Sequence, residues 1–130
     1  CVIAAGMEYE KEYVQTFVNQ VGSPRCVNAA GLFTLRQLLG LYDLSKCMLT
    51  NDSGPAHFAS VTPLKTFVLF GPETPALYMP LGNTEVFYAG LACSPCVSAA
   101  NHRKTNCDNP LCMHCITVEE VSERVLWGTV

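Results

Sequence analysis

Short, uninterrupted apolar runs alternate with amphipathic segments through the first half of this 130-residue chain. Residues 1–5 form one such run, and residues 8–21 then place apolar side chains three and four positions apart. Residues 46–50 and 65–70 are further segments of strand length, with apolar runs at residues 47–49 and 67–70. Because strands buried on both faces are continuously apolar and crossover helices are amphipathic, the pattern predicts an α/β fold with a parallel sheet and flanking helices.

The same patterns predict the order of elements and the extent of the domain. We expect strands at residues 1–5, 25–28, 46–50, 65–70 and 84–89, and helices at residues 8–21, 35–42, 54–60 and 117–127. A cysteine-rich loop at about residues 91–116 precedes the terminal helix. The length predicts a single domain over residues 1–130. The opening is typical of the middle of a buried strand, without an initiator Met or a basic leader, so we expect a piece of a longer protein.

Composition excludes several classes of protein. With 49% hydrophobic and 15% charged residues, the chain can bury a core and is not a disordered segment. Its formal net charge is -3 and it has only eight Lys and Arg residues, which argues against a nucleic-acid-binding surface. No apolar run approaches the roughly 20 residues that a membrane-spanning helix needs.

The stretch at residues 50–60, TNDSGPAHFAS, follows a predicted strand and begins a predicted helix. Ligands of open parallel sheets bind beyond the carboxyl ends of the strands. The free N–H groups of Ser53 and Gly54, together with the positive end of the helix dipole, favour a phosphate or diphosphate there. His57, one helical turn further on, can donate to the same anion. The stretch is therefore a candidate anion-binding loop.

The stretch at residues 50–60 has two other interpretations. Asp52 and Ser53 are common helix caps, and a capped short helix explains them without any ligand. A serine nucleophile is the weaker alternative, because no glycine stands two residues before Ser53 as a nucleophile elbow requires. We interpret Glu73 and Glu85 as loop charges, and no residue of the chain is a candidate catalytic base.

Several motifs together resemble glycosyltransferase family 9, the lipopolysaccharide heptosyltransferases. They are residues 51–59 (NDSGPAHFA), 28–38 (NAAGLFTLRQL), 69–75 (LFGPETP), 93–96 (CSPC), 112–113 (CM) and 116–121 (ITVEEV). The resemblance extends from about residue 5 to residue 125 and keeps the order of the motifs. It implies a GT-B fold of two Rossmann-like domains, of which this chain resembles most of the carboxy-terminal, donor-binding one.

The resemblance also implies roles for particular residues. Asp52 would accept hydrogen bonds from the hydroxyls of the donor sugar, and Ser53 and Gly54 would hold the diphosphate of an ADP-heptose-like donor. His57 would stand near the phosphates. The family binds the nucleotide ribose with a carboxylate after a GGP turn. Here the turn is Ala-Gly-Met, and the candidates are Glu8 and Glu10. Both are explained equally well as ordinary acids in the first turn of a helix, where the helix dipole favours them.

The partners implied by the resemblance complete this interpretation. The acceptor would be the lipopolysaccharide core, brought by an amino-terminal domain that this chain lacks. No metal would be needed for catalysis, because helix dipole and basic groups neutralise the leaving diphosphate. The expected place of action is the cytoplasm or the cytoplasmic face of the inner membrane of a bacterium.

Five of the eight cysteines lie close together in the sequence: Cys93, Cys96, Cys107, Cys112 and Cys115. They contain two C-x-x-C pairs with 15 residues between them, a spacing suited to a structural zinc held by four thiolates. His102 and His114 are alternative ligands. Reduced or partly disulfide-linked cysteines that only pack the loop are the other interpretation, and neither makes the cluster catalytic.

The sequence is also compatible with a second class of function. The chain can instead be a small, zinc-stabilised α/β interaction module without enzymatic turnover. Binding of ADP or ADP-heptose at the loop formed by Asp52, Ser53 and Gly54 separates the two hypotheses, because only the glycosyltransferase interpretation requires it.

Overall fold

The structure is a computed structural model that describes residues 1–128, so the last two residues of the predicted domain lie outside it. The strands are β1 (Val2–Ala4), β2 (Cys26–Asn28), β3 (Cys47–Asn51), β4 (Lys65–Phe70) and β5 (Thr84–Tyr88). The helices are α1 (Lys11–Val21), α2 (Leu35–Leu44), α3 (Gly54–Ala59), α4 (Pro75–Tyr78), α5 (Leu111–His114) and α6 (Val118–Trp127). All nine predicted strands and helices are confirmed, with ends shifted by a few residues; the single-turn helices α4 and α5 were missed.

Every strand pair in the described residues is parallel, which confirms the α/β class. β1 pairs with β2, and β4 lies between β3 and β5 in a second sheet. The strands therefore form two sheets, whereas one sheet was expected. The sequence pattern did not predict this because it shows where strands occur but not which strands pair. The chain groups into two compact units, residues 1–40 and residues 41–130. The prediction of a single domain stays a prediction.

In the first unit, helix α1 packs beside the two-stranded sheet. Val14 is the residue of α1 that is buried, and Gly22 ends the helix in the left-handed conformation with a φ of 62°. A glycine is favoured there because a Cβ is disfavoured at positive φ. The Asn28 side chain at the end of β2 donates hydrogen bonds to the Lys11 carbonyl and to the Gln15 side chain, which ties sheet and helix together.

The core of the second unit lies on and around β4. Phe67, Val68 and Phe70 in this strand are completely buried, as is Ala56 of α3. Phe87 of β5 lies beside Phe67 with ring centroids 6.2 Å apart. A central parallel strand is covered on both faces, which explains why residues 67–70 of β4 are continuously apolar. This packing holds the carboxyl ends of β3 and β4 at one edge of the sheet.

Helix α6 is joined to β5 by an ionic cluster around Glu85. The Glu85 carboxylate lies 2.9 Å from Lys65 Nζ and accepts a 2.7 Å hydrogen bond from Arg124 Nε. Arg124 also donates to the Val86 carbonyl and stacks over the ring of Phe87, with Cζ 4.0 Å from the ring centroid. The interpretation of Glu85 as a loop charge is wrong, because it lies within β5 and is shared by two cations. No helix among residues 1–128 is both long and apolar enough to cross a membrane.

This cluster predicts an acid-dependent part of the stability. The hydrogen bond from Lys65 is the largest effect on the pKa of Glu85 and lowers it; burial opposes it, and the hydrogen bond from Arg124 together with the charges of both cations keeps the pKa below its usual value. A depressed carboxyl pKa stabilises the fold above the unfolded pKa of about 4.3, and that contribution is lost as pH falls through the folded pKa. We expect Glu85→Gln to lower the free energy of unfolding by about 1 kcal/mol at pH 7, a small effect because the side chain is partly exposed.

Urea unfolding of the wild type and the variant at pH 7 and pH 3 checks this expectation. The two proteins should differ at pH 7 and converge at pH 3. Glu123→Gln, an exposed acid beyond the first turn of α6, is the matched control and should match the wild type at both values. An equal difference between wild type and Glu85→Gln at both pH values would contradict the ionic explanation.

Candidate functional site

The predicted anion-binding loop lies directly after β3, at its carboxyl end. Ser53 is the residue before α3 and has extended backbone angles, but its side chain makes no capping hydrogen bond to the helix. Its hydroxyl donates instead to the Asn51 carbonyl at 3.1 Å. The capping interpretation of Ser53 is therefore wrong, because the hydroxyl faces the chain before it. For Ser53 Oγ to donate to a phosphate, this hydroxyl would have to rotate away from the Asn51 carbonyl.

The backbone of the loop is open to a ligand. The Asp52 N–H donates to the Leu69 carbonyl of the neighbouring strand, whereas the N–H groups of Ser53 and Gly54 have no hydrogen-bond partner within residues 1–128. Gly54 is exposed, and a Cβ added there would meet only the Phe58 ring, at 3.6 and 3.7 Å. The fold itself thus has room for a side chain at Gly54, and the glycine leaves two N–H donors uncovered.

Asp52 is half-buried and lies in a field of positive charge. Burial raises the pKa of its carboxyl, and His57 and Arg103 act in the opposite direction with smaller effects. His57 is therefore near enough to act on the Asp52 carboxyl, and the role of either residue toward a ligand stays a prediction. Arg103 was missed, since it comes from the cysteine-rich loop some 50 residues away and no local pattern distinguishes it from an ordinary exposed arginine.

Asp52 and Arg103 line one cavity of about 330 Å³. Its walls come from the end of β3, from the turn after β4 and from the cysteine-rich loop; the lining residues are Asn51, Asp52, Leu69, Gly71, Pro72, Glu73, Val97, Arg103 and Met113. Ser53, Gly54 and His57 do not line it. The cavity is thus adjacent to the anion-binding loop through Asp52 and is not the same space.

Glu73 is the unexpected member of this cavity. It is only 7% exposed, and neither carboxylate oxygen has a hydrogen-bond partner in the described part of the chain. The interpretation of Glu73 as a loop charge is wrong, because the turn that carries it is covered by the cysteine-rich loop. No signal in the sequence could have revealed this, since burial of the turn depends on a segment more than 20 residues away.

The two candidate ribose ligands lie in the first unit. The Glu10 carboxylate accepts a 2.7 Å hydrogen bond from the Met7 N–H, at the start of a short 3-10 turn that precedes α1. Glu8 is largely exposed, 3.9 Å from Lys11 Nζ, and its carboxyl group lies against Gly31. These contacts are those of helix-start acids, and the ribose role of either glutamate stays a prediction.

The cysteine-rich loop is held by hydrogen bonds to the turn after β4. The Cys96 and Val97 N–H groups both donate to the Pro72 carbonyl, and the Ser94 hydroxyl donates to the Gly71 carbonyl at 2.6 Å. Val97 and Cys112, two residues of this loop, are buried. The loop is therefore packed against the turn without a metal ion.

All five clustered cysteines are free thiols. Burial raises the pKa of Cys112, and the neighbouring Cys96 and Cys107 thiols add to that effect. Cys93 and Cys115 are exposed. No three His, Cys, Asp or Glu side chains within residues 1–128 are grouped so that they could hold a metal ion. The zinc site has no geometric support in this structure and stays a prediction.

The parallel sheets, the flanking helices and a polar site at the carboxyl end of β3 define a Rossmann-like class of fold. The family model of glycosyltransferase family 9 (heptosyltransferase) matches residues 1–106. This chain therefore belongs to glycosyltransferase family 9, as its motifs indicated.

Relatives and solved structures agree with this assignment. The chain is 32% identical over 103 residues to lipooligosaccharide heptosyltransferase 2 of Campylobacter jejuni subsp. jejuni serotype O:6, covering 75% of this chain and 29% of that protein. It resembles the family 9 glycosyl transferase of Veillonella parvula DSM 2008 at 29% identity and a TM-score of 0.60, over 65% of this chain and 24% of that one.

A second solved structure supports the fold over more of the chain. ADP-heptose LPS heptosyltransferase II of E. coli is similar over 97% of this chain and 35% of its own length, with a TM-score of 0.72 and 23% identity. At that identity the similarity shows the fold alone. The chain spans about 29% of the length of the curated relatives it matches.

Proposed function

We propose that this chain binds the nucleotide-sugar donor, of the ADP-heptose type, for transfer of heptose to a lipopolysaccharide core. The observation that carries the proposal is the loop after β3 in a family 9 chain. There, two unpartnered backbone N–H groups, those of Ser53 and Gly54, stand beside the half-buried carboxylate of Asp52. Backbone donors of this kind suit a diphosphate, and a carboxylate suits sugar hydroxyls.

In the proposed reaction, negative charge grows on the departing diphosphate. Donors already aimed at that position stabilise the transition state without having to reorganise, which lowers the barrier. The N–H groups of Ser53 and Gly54 serve this purpose, and His57 adds a ring N–H donor. Asp52 orients the sugar. The acceptor and the catalytic base belong to the remainder of the proposed enzyme, whose place of action at the cytoplasmic membrane face stays a prediction.

No metal is part of this proposal. The N–H groups of Ser53 and Gly54 and the His57 ring supply hydrogen-bond donors, and Asp52 supplies a carboxylate. Positive charge near Asp52 comes from His57 and Arg103. The alternative, a zinc-stabilised interaction module, has no observation in its favour. It stays a hypothesis that nucleotide binding would refute.

Isothermal titration of the 130-residue chain tests the proposal. We expect ADP to bind with a Kd in the micromolar to millimolar range, roughly 4 to 8 kcal/mol of binding free energy. Asp52→Ala should weaken ADP-heptose binding about tenfold through the lost sugar contact, the usual effect of removing a hydrogen bond to a charged group. Asp43→Ala, an exposed acid of α2, is the matched control and should bind both ligands as the wild type does.

The same titrations can also refute the proposed donor binding. A folded chain that binds neither ADP nor ADP-heptose would refute a donor-binding function. Because burial raises the pKa of Asp52, we also expect the ADP-heptose affinity to fall with acidification at a higher pH than for an ordinary aspartate.

A further inference from the structure

Glu73 occupies a position that costs the fold free energy. Its carboxylate is withdrawn from water, and both oxygens lack a hydrogen-bond partner among residues 1–128. Buried polar groups are normally paired, so an unpaired carboxylate in a cavity wall calls for an explanation. The turn after β4 needs no charge at this place, since its hydrogen bonds to the cysteine-rich loop are made by the Gly71 and Pro72 carbonyls.

The chemistry of the cavity narrows the class of ligand. Two carboxylates, Asp52 and Glu73, only accept hydrogen bonds when ionised, and the guanidinium of Arg103 only donates. A phosphate in this cavity would meet two negative charges. A free cation would meet Arg103, whose Cζ lies 5.1 Å from the centroid of the Tyr78 ring. A neutral molecule with several hydroxyl groups satisfies acceptors and donors together.

The size and position of the cavity agree with that class. Its 330 Å³ lies near the lower end of the range of about 300–1,000 Å³ for small-molecule sites, which suits one sugar ring better than a whole nucleotide sugar. Asp52 joins the cavity to the proposed diphosphate loop. A sugar attached to the outer phosphate would enter the cavity and reach Glu73.

We propose that Glu73 is a specificity-determining residue that accepts hydrogen bonds from hydroxyl groups of the donor sugar in the cavity shared with Asp52 and Arg103. This inference rests on the proposed function, since it assumes that the diphosphate binds at Ser53 and Gly54. It assigns to Glu73 the recognition of the sugar and no part in the recognition of the nucleotide.

Titration of the full chain with two probes, ADP and ADP-heptose, tests the inference through Glu73→Gln. The variant keeps the size of the side chain but replaces one acceptor oxygen by a donor. We expect its ADP-heptose affinity to fall at least tenfold while its ADP affinity changes less than twofold. Asp108→Asn, the same kind of change at an exposed position of the cysteine-rich loop, is the control and should alter neither affinity.

Thermal unfolding of the ligand-free chain supplies a second readout. A carboxylate kept for a ligand destabilises the free protein, so Glu73→Gln should leave the Tm unchanged or raise it by a few degrees. A structural role for Glu73 would instead lower the Tm. The Tm therefore distinguishes a ligand-binding role of Glu73 from a structural one independently of the titrations.

Each result decides for or against the inference. A selective loss of ADP-heptose affinity without a fall in Tm supports it. Equal loss for both ligands, no loss for either, or a lowered Tm would overturn it while leaving the diphosphate loop in place. Wild-type protein that binds ADP but gains nothing from the sugar would also overturn it, and failure to bind ADP would overturn the proposed function as well.

Discussion

The Gly54→Val variant is expected to lose ADP binding by more than about a hundredfold while its fold survives. The N–H groups of Ser53 and Gly54 must approach the diphosphate closely, and a branched side chain on Gly54 would stand in that path. Loss of two hydrogen bonds to a charged group accounts for about 3 kcal/mol or more, which is a hundredfold or more in affinity. Within the protein, a Cβ at this position meets only the Phe58 ring at ordinary contact distance.

Titration with ADP and thermal unfolding of the same samples check this result. Gly40→Val is the matched control, because a Cβ at Gly40 in α2 meets nothing within 4 Å. The control should bind ADP as the wild type does, and both variants should unfold within a few degrees of it. If Gly54→Val binds ADP with unchanged affinity, the diphosphate is not held by this loop and the site assignment is wrong.

The Phe67→Ala variant is expected to show the largest loss of stability. Phe67 lies in the central strand β4, is 0% exposed, and packs against Phe87. Truncation of a buried phenylalanine costs about 3–5 kcal/mol, since the transfer free energy and the contacts around the cavity are both lost. A typical domain has only about 5–15 kcal/mol of stability in total, so the loss takes a large share of it.

Chemical unfolding monitored by circular dichroism measures this loss. Leu77→Ala, a truncation at a site that is 76% exposed, is the control and should change the free energy of unfolding by less than about 0.5 kcal/mol. Similar losses for both variants would mean that β4 is not the centre of the core.

Local sequence patterns were sufficient to predict the longer strands and helices and the loop after β3. The continuous apolar run at residues 67–70 predicted β4 because both faces of a central parallel strand are buried. Thr117 predicted the start of α6 and does accept a hydrogen bond from the Glu120 N–H. The loop after β3 was recognisable because a strand, a small residue and a proline at the start of a helix are neighbours in sequence.

The short helices α4 and α5 and the division into two sheets were not predictable in this way. A single helical turn is too short to show periodicity, and strand neighbours depend on where distant segments pair. The zinc prediction also depends on tertiary packing that the sequence pattern does not show. The C-x-x-C spacing places thiols near each other along the chain but cannot tell whether a turn folds them together or buries one and exposes the next.

The sequence by itself determined the α/β class, the order of the elements and the family, because each is written in residues that are neighbours along the chain. Only the tertiary structure decided the surroundings of individual charges. Asp52 shares its cavity with Glu73 and Arg103 because the cysteine-rich loop folds over the turn after β4. Burial, pKa and unpaired hydrogen-bonding groups all depend on which distant segments cover a residue, and that information arises only when the chain is packed.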